Sequence, residues 1–409
     1  MQEDKVRLQT LLCLEKILYH NRNLEDIFDS SFADFSPRDK SFARMLLATV
    51  LKRKGQIDAV LKSLLKKPLP FKARFIYDIL MIGTAQILFM NVPSHAAVST
   101  SVDLAKTVEN GFYTKLVNAV LRNLLKKKPT LPPVTTNIPS WIYANWAARH
   151  GEETTFQIAN SFLKEPAIDI VVKDNPTYWA EKLNATVIRG NCLRLPNGCF
   201  IPTLDGFDEG AWWVQDNGAY LAVEVLGDVR ELFVADLCAA PGGKTAALLS
   251  KGAKVDAFDI SPNRIKRLKE NLTRLHLKTD VFVQNAKEIA GENKYDIVLL
   301  DAPCSATGTL RRHPDVLLHR KPQDIVALTH TQEELLKTAH RLVKKGGKVV
   351  YCTCSLQKEE GEDQIQKLSS LFRIIPIENF PKNKTPEGFL RTMPFQNSDG
   401  FFIALLEKK

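Results

Sequence analysis

The sequence predicts an α/β protein built from an all-helical N-terminal domain, a small mixed α+β subdomain and a C-terminal doubly wound, mainly parallel sheet. Three observations carry this reading. Apolar residues recur at helical spacing through the first 127 residues, four prolines fall between Lys128 and Pro139, and strand-like and helical runs alternate from Glu231 onward. Of the 409 residues 44% are apolar and 25% charged, which excludes a disordered, collagen-like or coiled-coil chain.

The first domain, residues 1–128, shows its period in Leu8, Leu11, Leu12, Leu14, Ile17 and Leu18, and again in Phe42, Met45, Leu46, Val50 and Leu51. Ser36-Pro37-Arg38-Asp39 is a helix start, with an N-cap serine and a proline in the first turn. Residues 129–139 read as a linker, since prolines without periodicity continue neither helix nor strand. Residues 140–227 are mixed: a helix carrying Trp141 and Trp146 precedes strand-like pieces at Ile168 to Val172 and Ala185 to Ile188. In residues 228–409 the strand-like runs are Leu232 to Asp236, Lys254 to Asp259, Asp280 to Val283, Tyr295 to Asp301 and Lys348 to Tyr351. Helices such as Ser261 to Leu275 and Gln323 to Lys344 lie between them, so ligands are expected at the carboxyl ends of the strands.

The charge is unevenly spread. Residues 1–130 hold 21 Lys/Arg against 12 Asp/Glu, whereas the remainder holds 35 against 34. Such an imbalance points to a polyanion, nucleic acid being the commonest. Part of it has a structural reading, because lysines such as Lys126-Lys127-Lys128 at helix ends complement the helix dipole. Seven scattered cysteines do not form a secreted disulfide framework, and charge in Met1-Gln2-Glu3-Asp4-Lys5 does not suit a signal peptide. The longest apolar stretch, Ile76 to Val92, is interrupted by Asp78 and is shorter than the ~20 residues of a membrane span. A soluble cytoplasmic protein of a reducing compartment is expected.

The first strand of the sheet runs into Asp236-Leu237-Cys238-Ala239-Ala240-Pro241-Gly242-Gly243-Lys244-Thr245, a turn of small residues that lets a ligand approach the backbone. A P-loop fails because Cys238 stands where the first glycine belongs. A dinucleotide fingerprint, and with it a nicotinamide dehydrogenase, fails because only the adjacent Gly242 and Gly243 are present. Asp259, ending the next strand, is placed for a ribose diol. An adenosine ligand not centred on phosphates fits, and S-adenosylmethionine has that character. Cys304 follows the strand ending in Asp301, and Cys354 follows the strand ending near Tyr351. Lone cysteines such as Cys13, Cys192 and Cys199 are ordinary small hydrophobes. Two at strand carboxyl ends suggest chemistry, whereas Cys352-Thr353-Cys354 has no second ligand pair, and no metal is expected.

Asp236–Thr245, Asp301–Asp315 and Tyr351–Leu356 together resemble the Nol/Nop/Sun family of RNA 5-methylcytosine methyltransferases. Arg391-Thr392-Met393-Pro394 and Asp399-Gly400-Phe401-Phe402 are similar to that family's final strand pair. Pro37-Arg38-Asp39-Lys40 and Asn118-Ala119-Val120-Leu121-Arg122 resemble the NusB-like RNA-binding domain. The resemblance covers essentially the whole chain. It implies a Rossmann-like class I methyltransferase domain with a seven-stranded sheet, S-adenosylmethionine as cofactor, and a cytosine of 16S rRNA, free or in an early small-subunit particle, as target. A monomer is expected.

By resemblance Cys354 is the nucleophile that adds to carbon 6 of cytosine as a thiolate. Asp301 meets the ring nitrogen and is protonated in the adduct, which a desolvated pocket would promote. Cys304 helps remove the carbon 5 proton and release the enzyme, so its loss should leave RNA covalently attached. Cys238, Ala239, Ala240, Pro241, Gly242, Gly243 and Lys244 surround the methionine portion of the cofactor and Asp259 holds its ribose. Asn285 meets the adenine where the family usually has aspartate. Arg311, Arg312 and His313 are candidates to grip RNA phosphates, as are Arg122, Lys126, Lys127 and Lys128, although Arg311 could instead pair with Asp315 to shape its loop. A tRNA or 23S rRNA target, or a non-catalytic antitermination or assembly factor, are the alternatives.

Overall fold

The computed structural model describes residues 2–380 and 382–409, apart from the side chains of Gln2, Glu3, Asp4 and Glu109. The chain forms two compact units: residues up to Lys164 with Leu310–Arg320, and Glu165–Thr309 with Lys321–Lys409.

The first unit is helical: α1 (Gln2–His20), α2 (Leu24–Ser31), α3 (Pro37–Lys52), α4 (Lys54–Leu64), α5 (Arg74–Phe89), α6 (Ser94–Thr107), α7 (Thr114–Lys127), α8 (Ser140–His150) and α9 (Glu152–Phe162). The Ser36 hydroxyl caps α3 by accepting from the Asp39 amide at 3.2 Å. Leu11, Leu14 and Ile17 of α1 bury their stripe with Leu46, Leu47 and Val50 of α3, Ile79 and Leu80 of α5, and Leu121 and Leu124 of α7. The apolar stretch that fell short of a membrane span is α5, a core helix. Among the described residues no helix is long and apolar enough to cross a membrane.

Residues 129–139, expected to be a linker, are instead packed within this unit. The Asn137 amide oxygen accepts from the Gln56 backbone at 2.9 Å, and Gln56 Nε2 donates to the Pro132 carbonyl at 2.7 Å. Proline breaks the regular structure, but these buried amides replace the lost backbone partners, and the unit continues to Lys164.

The second unit opens with a small antiparallel sheet of β1 (Asp169–Val172), β2 (Thr186–Arg189), β3 (Cys192–Arg194) and β4 (Trp212–Val214), in the order β2-β3-β1-β4. The large sheet comprises β5 (Phe233–Leu237), β6 (Lys254–Asp259), β7 (Asp280–Val283), β8 (Tyr295–Asp301), β9 (Val343–Thr353), β10 (Phe372–Ile374), β11 (Leu390–Arg391) and β12 (Phe402–Lys408). Its order is β10-β12-β9-β8-β5-β6-β7, with β11 also pairing β12. Strands β5 to β9 run parallel, while β12 is antiparallel to β9 and β10 antiparallel to β12. The expected C-terminal strand pair is β11 with β12, in the register Arg391↔Phe402.

Both faces of the large sheet are covered, as a parallel sheet requires. Val234, Ile297, Leu299, Val350, Ile403 and Leu405 pack on one face, and Ala235, Val298, Leu300, Val349, Ala404 and Leu406 on the other, the period-two alternation of strands. Helices α10 (Gly243–Ser250), α11 (Pro262–Arg274) and α12 (Pro322–Leu342) connect the strands. The strand order reverses between β5 and β8, and ligands of such sheets bind at the carboxyl ends beside that reversal.

Candidate active site

The candidate residues follow the carboxyl ends of five neighbouring parallel strands, β5 to β9. From β5 the chain turns through Cys238, at φ +62°, and enters α10 through Gly242, at φ +102°. A side chain at Gly242 would meet Leu268 Cγ at 3.0 Å, so both the backbone angle and the space require glycine. Asp236, fully buried beneath the turn, accepts from the Thr245 hydroxyl at 2.6 Å. Burial drives its carboxyl up to about 7; Thr245 and Lys244 oppose the rise, and the charges of Asp301 and Asp259 add to it. Burial and the same two carboxylates push the Cys238 thiol up to about 12.

Asp259 ends β6 almost fully buried. It accepts from the amides of Ala240 (3.2 Å) and Ser261 (3.0 Å), and Arg264 stands 3.3 Å away. A carboxylate offers about four lone-pair sites, so room for a ribose hydroxyl remains. Asn285, expected to meet the adenine, follows β7. Its oxygen accepts from the Lys287 amide at 3.2 Å and its nitrogen donates to Glu288 at 3.0 Å, so the amide caps a local turn. Asparagine readily bonds the backbone two residues on, which takes one of the oxygen's two lone pairs and leaves the other.

At the end of β8, Asp301 is neither isolated nor simply desolvated. Lys244 Nζ lies 2.7 Å from its Oδ2 and Cys352 Sγ 3.5 Å from its Oδ1, the latter on the neighbouring strand in the register Asp301↔Cys352. Lys244, expected beside the cofactor, is 8% exposed and turned onto this carboxylate. Burial opposes its charge, yet Asp301, Cys352 and Asp236 outweigh that and hold its ammonium above the ordinary range. For Cys352, burial and then Asp301 raise the thiol well above the usual value.

The two cysteines singled out from the sequence meet: Cys304 Sγ is 3.4 Å from Cys354 Sγ. Hydrogen bonding to Cys354, then burial, then the charges of Cys354 and Glu360, push the Cys304 thiol well above its usual value. The loop that carries Cys304 is locked through Gly308, whose amide donates to the Cys354 carbonyl (2.9 Å) and whose carbonyl accepts from Gly400 (2.8 Å). A Cβ at Gly308 would stand 1.9 Å from the Gly400 oxygen. Sequence reasoning passed over what lies behind: Ser305, Ser355, Gln332, Arg391 and the buried Glu360. Arg391 donates to the Ser355 carbonyl at 3.1 Å and is paired with Glu362. The available signal was the repeated Cys-Ser pair, 304–305 and 354–355.

The expected RNA contacts divide. Arg122, Lys126, Lys127 and Lys128 lie exposed on and just after α7. Arg311 is only 4% exposed and is not offered to a phosphate, whereas Arg312 and His313 keep part of their surface. Asp315, its suggested partner, accepts from the Leu24 amide at 3.1 Å.

Residues 223–407 match the family model for 16S rRNA methyltransferase RsmB/F, and residues 4–126 that of the NusB family. The ribosomal RNA small subunit methyltransferase B of Proteus mirabilis is 31% identical over 416 residues, 97% of either chain. The chain belongs to this methyltransferase family. It is therefore an RNA methyltransferase, and the dehydrogenase and the non-catalytic factor fall away. The solved structure of PH0851 is 27% identical and covers 98% of each chain with a TM-score of 0.80. That of NSun6 from Pyrococcus horikoshii with SFG, 20% identical, covers 66% of this chain and 98% of its own at a TM-score of 0.59, a likeness of fold.

Proposed function

We propose that the protein methylates carbon 5 of a cytosine in 16S rRNA through a covalent cysteine–cytosine adduct, with S-adenosylmethionine as methyl donor. The observation that carries this reading is the pair of thiols 3.4 Å apart, following the carboxyl ends of the adjacent strands β8 and β9, the first of which ends in the Lys244-paired Asp301. The residues fit the donor: glycines at the α10 turn, amides at the α10 start and a buried Asp259 are what an adenosine with a short charged tail asks for. When bound, S-adenosylmethionine supplies an electrophilic methyl carbon on a sulfonium.

The chain's own residues do the rest. Cys354 adds as a thiolate to carbon 6, which turns carbon 5 from a poor nucleophile into an enamine carbon. The ring nitrogen gains charge and takes a proton from the Asp301 carboxyl, which takes it back when the carbon 6–sulfur bond breaks, while Lys244 stays an ammonium paired with Oδ2. Cys304, after its thiol proton has left to solvent, takes the carbon 5 proton. The carbon 6–sulfur bond then breaks, returning Cys354 as a thiolate. A thiol of high proton affinity is a strong base once ionised, which suits Cys304 to this step better than to the first.

Catalysis by free thiols calls for a reducing compartment and fits the cytoplasm, and all these residues come from one chain, which fits a monomer. The exposed α7 cations suit an RNA phosphate backbone. The test is to incubate the protein with 16S rRNA, free or in early small-subunit particles, and methyl-labelled S-adenosylmethionine, then to digest to nucleosides. Label in 5-methylcytidine from 16S rRNA is expected. Label in another nucleoside overturns the chemistry, and label only in tRNA or 23S rRNA overturns the target.

A further inference from the structure

Each of the two cysteines is followed by a serine, and both serines end on one carboxylate. Glu360 is fully buried. Its Oε1 accepts from the Ser305 amide at 2.9 Å and from Gln332 Nε2 at 3.0 Å; its Oε2 accepts from the Ser355 hydroxyl at 2.5 Å and from the Ser305 hydroxyl. The two hydroxyls are 3.0 Å from each other. The Glu360 carbonyl is anchored in turn, accepting from Tyr351 at 2.8 Å and Thr353 at 3.3 Å on β9. One side chain therefore ties the loop after β8, the loop after β9 and α12 to a single point.

Burying a carboxylate is expensive unless its lone pairs are filled, and an apolar side chain would hold three elements together at less cost. What an apolar residue could not do is fix two hydroxyls, and hence two neighbouring sulfurs, at a set distance. We propose that Glu360 is a positioning residue of the methyl transfer: through Ser305 and Ser355 it holds the Cys304 and Cys354 sulfurs at their 3.4 Å spacing. Its charge also helps to tell the two thiols apart. It adds to the factors that keep the proton on Cys304. The ionisable groups that act with it around Cys304 are Cys354 and, on β9, Tyr351. This inference rests on the reading that Cys304 and Cys354 are the reacting pair.

The experiment therefore measures thiol spacing separately from turnover. Glu360→Gln and the double variant Ser305→Ala/Ser355→Ala, which keeps the carboxylate but removes its clamps, are compared with the unmutated protein. Binding of S-adenosylmethionine by calorimetry and thermal stability control for folding. The thiol oxidant diamide, which takes two electrons and two protons from a thiol pair to leave a disulfide, reports the spacing once the Cys304–Cys354 link is mapped by mass spectrometry. Expected is a cofactor affinity within twofold of the unmutated protein, a disulfide formed at least fivefold more slowly in the double variant, and kcat at least tenfold lower with KM for RNA unchanged. In Glu360→Gln, iodoacetamide should label Cys304 faster relative to Cys354. Unchanged crosslinking and kcat overturn the proposal, and so does a parallel fall of stability, cofactor affinity and kcat, which marks a merely structural residue. If Cys304→Ala traps no RNA, the two-thiol reaction fails, while the crosslinking rate still decides whether Glu360 sets the spacing.

Discussion

Replacing Asp236 by asparagine should make the protein more stable, and more so the higher the pH. The wild-type carboxyl is fully buried and holds its proton up to about pH 7, against an ordinary value of 3.8. The sign follows from linkage. Between those two values the folded state binds more protons than the unfolded one, so stability is greatest below the lower value and is lost as pH rises to about 7. At ~1.4 kcal/mol per tenfold, the loss reaches about 4 kcal/mol at pH 8 and about 2 kcal/mol at pH 5. Asparagine keeps an oxygen for the Thr245 hydroxyl and carries no charge. The difference in stability between variant and wild type should therefore grow by roughly 2–3 kcal/mol from pH 5 to pH 8. In a unit of this size that is roughly 5–10 °C in melting temperature. Thermal melts of both proteins at four pH values test it, since comparing the pair cancels every other titrating group. A difference that stays flat across the range refutes the argument that this carboxyl is held uncharged by burial.

Three further outcomes follow from the same geometry. Lys244→Met strips Asp301 of its ammonium. Breaking a buried pair costs ~3–5 kcal/mol, and because the Asp301 side chain is 32% exposed we expect about 1–3 kcal/mol in a denaturant titration, with methylation down at least ~100-fold. Gly308→Ala puts a methyl group 1.9 Å from the Gly400 oxygen, so the Cys304 loop must shift, with a cost of ~1–3 kcal/mol or more and loss of turnover while calorimetry still detects cofactor binding. Replacing Lys126, Lys127 and Lys128 by alanine should weaken RNA binding and flatten its salt dependence by ~0.7–0.9 in slope for each phosphate these lysines neutralise, measured by filter binding. Arg311→Ala should leave that slope unchanged because the side chain is buried.

Much of the architecture was legible because it rests on periodicity. The helical N-terminal region, the strand–helix alternation and the start of α3 at Ser36 all follow from spacing and capping, which are local. So does the meeting of Cys304 and Cys354, since both follow carboxyl ends of adjacent parallel strands. The parts that were not legible depend on partners distant in sequence. Prolines between 129 and 139 read as a break, yet Gln56, some 80 residues earlier, binds Pro132 and Asn137. Arg311 reads equally as a phosphate ligand or as a partner of Asp315, and tertiary packing, which buries it, decides against the phosphate. Lys244 sits within a motif that suggested the cofactor, and only the register of β8 shows it reaching Asp301, 57 residues on. Glu360 gave no motif at all. Its part arises from Ser305 and Ser355 converging on it, which requires the fold.

The central claim is that Cys354 forms the bond to RNA and Cys304 undoes it. The most direct measurement is to express Cys304→Ala in cells and look, under denaturing conditions, for RNA attached to the protein, with and without Cys354→Ala. A covalent species in the single variant that vanishes in the double variant is predicted, and sequencing the trapped RNA should place the attachment at a cytosine of 16S rRNA. Methylation that survives Cys354→Ala, with no adduct in either variant, contradicts the account.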